Sequence, residues 1–297
     1  MRTGPAVVAI VALIGLAACT DVVAPRSAVP SVRTTVPASA LVAIHAEIRQ
    51  SRSDWAARVV QIRVYDDGTE PVVVSGVALT TPGVDGVSHG RPRNPPTVDP
   101  GDDRDVSVAL RAPACGGDDG AAHVVISLAD AAGATAELAL VAADPQGHLA
   151  RIRAEDCAAA AVARGATLAW GTGVEATDRA GTLVGSLDLT MTPVAGGPTV
   201  VITQIDGTVL LSPLVAGAPT AAWAPTELAA PRTAPVTVPL TFVPARCDPH
   251  AVAEDKRGTF VGVHATVDGI PQHVFYLGVS DATRGELHDY IGRACGW

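Results

Sequence analysis

Four cysteines in two pairs constrain this chain more than any other feature of it. Cys115 and Cys157 enclose an alternating apolar segment, a turn, a second alternating segment and a short helical pattern, and Cys247 and Cys295 enclose the same order of elements. Each unit is entered by a strand that runs through proline into its first cysteine, as Pro113-Ala114-Cys115 in one copy and Pro244-Ala245-Arg246-Cys247 in the other. Leu149 and Leu287 each precede the closing cysteine by eight residues (157 − 149 and 295 − 287). Four cysteines allow three pairings, and only Cys115–Cys157 with Cys247–Cys295 treats both copies alike. No pair has the C-x-x-C spacing of a zinc site. The even number therefore reads as two disulfides made in an oxidising compartment.

Cross-links matter here because the core is thin. Hydrophobic residues make up 48% of the 297, yet aromatic residues are only 3%, so alanine and valine carry most of the burial. Small side chains bury little area each, which leaves more of the stability to the staples. Lys256 is the only lysine, and the net charge is −9. That balance argues against a phosphate-binding surface and against nucleic acid as a partner, because such surfaces gather lysine and arginine on one face. No basic stripe with interleaved aromatics runs along the sequence.

The fifth cysteine, Cys19, stands apart. Arg2 supplies a positive start, and the run from 6 to 18 carries no charge and is too short to span a bilayer, which is the layout of a secretory signal. Leu16-Ala17-Ala18-Cys19 resembles the lipobox of bacterial lipoproteins, and with the arginine- and alanine-rich composition the chain is similar to exported lipoproteins of high-GC actinobacterial type. The resemblance covers about the first 19 residues. It implies cleavage after 18, a diacylglycerol thioether and palmitate on Cys19, and anchoring to the outer face of the plasma membrane; two acyl chains make a stable anchor. Residues 20–38, rich in Pro, Ser, Thr and Val, read as a flexible tether.

Beyond the tether the pattern is short strands. Residues 58–65 put Val60, Ile62 and Val64 on one face, and the Asp66-Asp67-Gly68 turn leads into a strand over 72–79. A Pro/Gly-rich loop over 81–103 precedes a strand over 105–112, and a hairpin spans 122–141. Asp144-Pro145 starts a short helix that stops at Cys157, and Ala- and Gly-rich residues 158–178 bridge to the second copy, with Trp170 the residue placed to be buried. There Asp206-Gly207 signals a hairpin, 216–235 is the matching Pro-rich loop, and the strand over 236–243 matches that over 105–112. The expected fold is all-β, with two tandem antiparallel immunoglobulin-like β-sandwich domains, 39–157 and 158–297, each ending in a short helix and closed by one disulfide.

Candidate chemistry is sparse. Gly86-Val87-Ser88-His89-Gly90 matches the G-x-S-x-G elbow of serine hydrolases, but Arg91-Pro92-Arg93-Asn94-Pro95-Pro96 follows where the elbow needs a helix. Asp118 and Asp119 lack the order of a calcium loop and read as a solvated turn. A two-residue turn at Asp268-Gly269 would face Val263 with Val274 and His264 with His273, close enough to share a metal, although Pro271 interrupts the ladder there. The leading expectation is a non-enzymatic, lipid-anchored binding or scaffold protein of the cell envelope, without cofactor, meeting a protein or envelope-polymer partner through the loops 81–103 and 216–235. A serine hydrolase using Ser88 and a metal-handling module using His264 and His273 are the alternatives.

Overall fold

A wet outer face and a dry inner one dictate the first strands. In the computed structural model, which describes residues 41–116 and 120–297, β1 (Ile44–Arg49) and β2 (Val59–Asp66) bury every second side chain, with Val60, Ile62 and Val64 fully inside. Residues 1–40, on which the expected signal segment, Cys19 and the expected tether fall, and Asp118 and Asp119, expected to form a turn, lie outside the described residues. β3 (Val72–Thr80), β4 (Ser88–Gly90), β5 (Thr97–Val98), β6 (Asp103–Ala109), β7 (Ala122–Asp130) and β8 (Thr135–Ala142) complete the first half. They form two antiparallel sheets, β1-β2-β6 and β8-β7-β3-β4, with β5 also paired to β3. The buried faces of both sheets meet in one core running from Ile44 to Ile152. This is the coarse plan of a β-sandwich.

α1 (His148–Gly165) is followed by β9 (Ala166–Trp170), β10 (Glu175–Arg179), β11 (Thr182–Pro193), β12 (Val200–Asp206), β13 (Leu211–Val215), β14 (Ala218–Pro219), β15 (Ala222–Trp223) and β16 (Val236–Pro244). Next come α2 (Pro249–Ala253), β17 (Phe260–Val267), β18 (Ile270–Pro271), β19 (Phe275–Gly278) and α3 (Asp281–Cys295). One sheet is built on β9-β11-β16, and the other on β19-β17-β12-β15. These repeat the orders β1-β2-β6 and β8-β7-β3-β4, while β10 and the β13-β14 pair are additions to the second copy.

The repetition extends to irregularities. The ladder of β3 with β7 slips between Val74 and Gly76, and that of β12 with β17 slips between Ile202 and Gln204. At each bulge the extra residue's hydroxyl donates across the ladder, Ser75 to the Ser127 carbonyl at 3.1 Å and Thr203 to the His264 carbonyl at 3.2 Å. The residue before each bulge gives its N–H to the Pro-rich loop, Val74 to Pro96 and Ile202 to Leu228, both at 3.0 Å. Bulges are specific local devices rather than noise, so their coincidence supports duplication more strongly than the cysteine spacing does.

Both disulfides form as the repeat requires, Cys115–Cys157 and Cys247–Cys295. One turn differs from expectation. Asp66-Asp67-Gly68 leads into β3 as expected but crosses to the other sheet, and Asp206-Gly207, expected to close a hairpin, does the same, because β2 pairs with β1 and β6, and β12 pairs with β15 and β17. The first helix also differs: it is 18 residues long and continues eight residues past Cys157 (165 − 157). Alanine is the best helix former, and no glycine or proline interrupts 158–164. Only at Gly165 does the helix meet an obstacle, since a Cβ there would lie 2.2 Å from the Pro198 carbonyl oxygen.

α1 therefore belongs to both cores. Ile152 packs in the first, and Ala158, Ala161 and Val162 pack in the second. The helix starts later than Asp144-Pro145 predicts: its N-cap is Gly147, in the left-handed conformation, and the Asp144 carboxylate reaches across the intervening turn to accept from the His148 and Leu149 N–H groups at 2.9 and 2.8 Å. Arg58 ties the helix to β2 by donating to Asp156 at 2.8 Å and to the Arg111 carbonyl at 2.8 Å. Burial holds the Asp156 carboxyl above its ordinary value of 3.8, against the pull of Arg58. A raised carboxyl pKa favours the fold at low pH and costs stability as pH rises through that value. Arg58→Leu, which strands the half-buried carboxylate, is expected to cost about 2 kcal/mol at neutral pH and less at an acid pH where Asp156 is protonated. Urea unfolding at the two pH values measures the difference.

Candidate functional site

The Ser88 motif resolves into backbone requirements. Ser88 opens β4, is 1% exposed, and its Oγ accepts from the Arg111 N–H at 3.2 Å. Gly86 has φ +70, and a Cβ on Gly90 would lie 2.5 Å from the Ser107 carbonyl oxygen, so one glycine serves a turn and the other the close passage of β4 against β6. An elbow needs an exposed hydroxyl at the start of a helix. Here the hydroxyl is enclosed and the chain runs on through prolines.

The histidine pair does not meet. β17 and β18 keep the expected register, Thr266 opposite Pro271, but β19 has moved by one, with Val263 opposite Phe275. Residues 272–274, outside both strands and following Pro271, absorb the shift, although Gln272 still gives its N–H to the Ala265 carbonyl at 2.9 Å. His264 turns instead to Asp206, with Nε2 at 2.9 and 3.1 Å from the two carboxylate oxygens. His273 Nδ1 donates to the Val274 carbonyl at 2.8 Å. No group of three or more His, Cys, Asp or Glu side chains among the described residues is placed to hold a metal.

The Pro-rich loops are more occupied than a free contact surface would be. β4 and β5 within 81–103 pair with β3. Within 216–235, Trp223 and Leu228 are buried and Trp223 Nε1 donates to the Thr241 carbonyl at 2.7 Å.

What the fold assembles is a groove where the two halves join. Gln61 of β2 is 7% exposed and fixes the backbone of the β1–β2 loop: its side-chain carbonyl accepts from the Ser51 N–H at 3.0 Å and its amide donates to Asp54 at 2.6 Å. That loop carries Arg52 and Trp55. Trp55 meets Phe260 and Tyr276 edge to face at centroid distances of 5.4 and 4.6 Å, and the Arg257 guanidinium lies 3.7 Å from the centroid of the Trp55 ring. Three of the chain's ten aromatic residues (4 Trp, 3 Tyr, 3 Phe) thus cluster here, two of them, Trp55 and Tyr276, against the Arg257 guanidinium.

The opposite wall is equally fixed. The Asp255 carboxylate accepts from the Arg257 and Gly258 N–H groups at 3.4 and 2.5 Å, while Thr208 donates to the Gly258 carbonyl at 2.7 Å. Arg246 sits beside Cys247, whose disulfide holds it to α3. The hollow measures about 770 Å³ and is lined by Arg52, Arg246, Lys256 and Arg257, with Glu254 and Asp255 as its acidic groups and Phe260 and Tyr276 as its aromatic ones. None of the four cationic groups makes a hydrogen bond or ion pair within the described residues. A basic patch with aromatics is therefore present, although no stretch of sequence contains it. The adjacent Lys256-Arg257 was the only local sign.

A second hollow of about 500 Å³ lies along α3, beside His288 and Trp297, but its Glu286 is already bonded to the Val174 N–H at 2.8 Å. No helix among the described residues is long and apolar enough to cross a membrane.

No family model matches the chain, and no curated protein sequence matches it. Among solved structures it is similar at low levels to red sea bream transglutaminase, with 10% identity, a TM-score of 0.22, and coverage of 80% of this chain and 31% of that one. It is also similar to the CsuC–CsuE chaperone–tip adhesion subunit complex of Acinetobacter baumannii Csu pili, with 8% identity, a TM-score of 0.17, and coverage of 74% and 90%. A third is the exo-chitosanase CsxA of Amycolatopsis orientalis, with 11% identity, a TM-score of 0.17, and coverage of 79% and 26%. The chain thus spans about a third of the length of the transglutaminase it matches.

Proposed function

We propose that this chain is a lipid-anchored, exported, non-enzymatic binding or scaffold protein of the cell envelope. Cys19 holds it at the outer face of the plasma membrane, and two immunoglobulin-like β-sandwich domains, 39–157 and 158–297, face a protein or envelope-polymer partner. The observation that carries the reading is the groove: four cationic groups that make no side-chain hydrogen bond or ion pair among the described residues stand on loops held by hydrogen bonds, aromatic contacts and a disulfide. Charges left uncompensated on a rigid support suit recognition of something from outside. Two disulfides support an oxidising, extracytoplasmic location, and the lipobox-like Leu16-Ala17-Ala18-Cys19 supports the anchor.

Growth with an alkynyl palmitate tests the anchor directly. Wild type is expected to take up the label and partition into the detergent phase, and Cys19→Ala to do neither. An unlabelled wild-type protein would end the lipid-anchor reading.

A further inference from the structure

We propose that the groove is a binding site for a polyanion carrying two or more phosphate or carboxylate groups, with Arg257 at its centre. The inference deepens the binding reading by naming the ligand class, and rests on it. Arg257 is half-buried, its guanidinium 3.7 Å from the centroid of Trp55 and 4.8 Å from that of Tyr276. Rings cover a guanidinium on its flat, weakly hydrated face and leave the N–H donors at its edge to be satisfied elsewhere. Within the described residues those donors have no acceptor. The neighbouring Asp255 cannot serve, because its carboxylate is engaged by the backbone N–H groups of Arg257 and Gly258.

Other half-buried arginines of the fold are paired, whereas exposed ones such as Arg91, Arg179 and Arg293 make no side-chain hydrogen bond or ion pair among the described residues, so what sets Arg257 apart is the lack of an acceptor at its degree of burial. Arg63 is bonded to Asp105 through two nitrogens at 2.8 and 2.9 Å, Arg104 to Asp102 at 2.6 Å, and Arg58 to Asp156. In the groove Arg52, Arg246 and Lys256 stand around Arg257 with only Glu254 as an uncommitted opposing charge. They come from three separate segments of a chain whose net charge is −9, so the fold has gathered positive charge against its own composition. A local positive field of this kind raises the encounter rate of anions. The planar fork of Arg257, held by aromatic contacts, matches the two oxygens of a phosphate or a carboxylate. The hollow, at about 770 Å³, is far larger than one such group, and its cations are distributed around it, which selects a ligand with several.

The test is calorimetric titration of the full-length protein in neutral detergent micelles with inorganic tripolyphosphate and, separately, with tetragalacturonate. At least one is expected to bind with unit stoichiometry, and which one does separates a phosphate-bearing from a uronate-bearing source. Arg257→Gln is expected to weaken binding about tenfold and Arg257→Lys to restore only part of it, because a point charge lacks the fork. Arg52→Gln, on an exposed loop where the fold is not at stake, is expected to weaken binding about threefold, and raising salt from about 50 to about 500 mM should weaken wild type further. Arg93→Gln, outside the groove, should bind as wild type does. No binding of either polyanion at millimolar concentration would overturn the proposal, as would wild-type affinity in both Arg257→Gln and Arg52→Gln. Palmitate labelling of Cys19 reads the anchor independently, so a failed ligand class and a failed anchor give different results.

Discussion

Replacing Cys115 and Cys157 together by alanine is expected to destabilise the protein by about 4 kcal/mol, lowering its unfolding midpoint by roughly 10 °C. The magnitude follows from the 42-residue separation of the two sulfurs in sequence, which sets how much freedom the cross-link removes from the unfolded chain. The location adds a second effect. Cys115 lies just beyond β6, and Cys157 lies within α1, the helix whose first half packs on one core and whose second half packs on the other. Cutting the bond frees the end of β6 from the element both halves share, so the unfolding transition should broaden as well as move. Removing Cys247–Cys295, with its 48-residue separation, should cost a similar amount but leave the first half's transition in place. Thermal unfolding followed by circular dichroism checks both. A shift below about 1 kcal/mol for the first pair would show that the native contacts around α1, and not the cross-link, hold it.

How much of this was readable follows from what each signal reports. Val60, Ile62 and Val64 are legible because a one-residue register error would turn all three to water. The disulfides were legible because two copies constrain each other. Strand partners were not: Asp66-Asp67-Gly68 and Asp206-Gly207 mark places where the chain turns, and turn chemistry does not say which sheet the next strand joins. The bridge at 158–164 was misread because alanine lacks an amphipathic pattern, although its helix propensity is high. The expected His264–His273 pairing was lost to the three residues between β18 and β19, 272–274, a displacement that proline announced without giving its direction.

The groove lay furthest from view. Arg52 and Trp55 are brought to Arg257 and Tyr276 by the joining of two halves some 200 residues apart in sequence, and local composition cannot report such an encounter. The excess of acid over base misled in the same way. Net charge describes the whole surface, whereas recognition depends on where the few positive groups are left without partners.

Tyr290→Ala is expected to cost about 5 kcal/mol, and Tyr290→Phe about 2 kcal/mol, for separable reasons. The ring is fully buried on α3 and meets Phe242 edge to face at 5.3 Å, so alanine leaves a cavity between the helix and the β11–β16 pair. Phenylalanine keeps the ring and isolates the hydroxyl. That oxygen accepts from the Gly185 N–H at 3.0 Å and stands 3.0 and 3.1 Å from the carbonyls of Leu183 and Phe242, to which it can donate. Gly185 is opposite Phe242 in the ladder, and a Cβ there would lie 2.3 Å from Phe242 Cε2 and 2.8 Å from Tyr290 Cζ. The missing side chain is what admits the phenol to the strand backbone. Without the hydroxyl the Gly185 N–H is left buried with no acceptor, which is the larger part of the expected loss. Burial also holds the Tyr290 hydroxyl above its ordinary value of 10.0. Its contribution should therefore be complete below that pH and be lost as pH rises beyond it, since the unfolded chain ionises first. Denaturant unfolding at neutral pH and above pH 10 reads both effects, and a Tyr290→Phe protein as stable as wild type would show that the three polar contacts contribute nothing net.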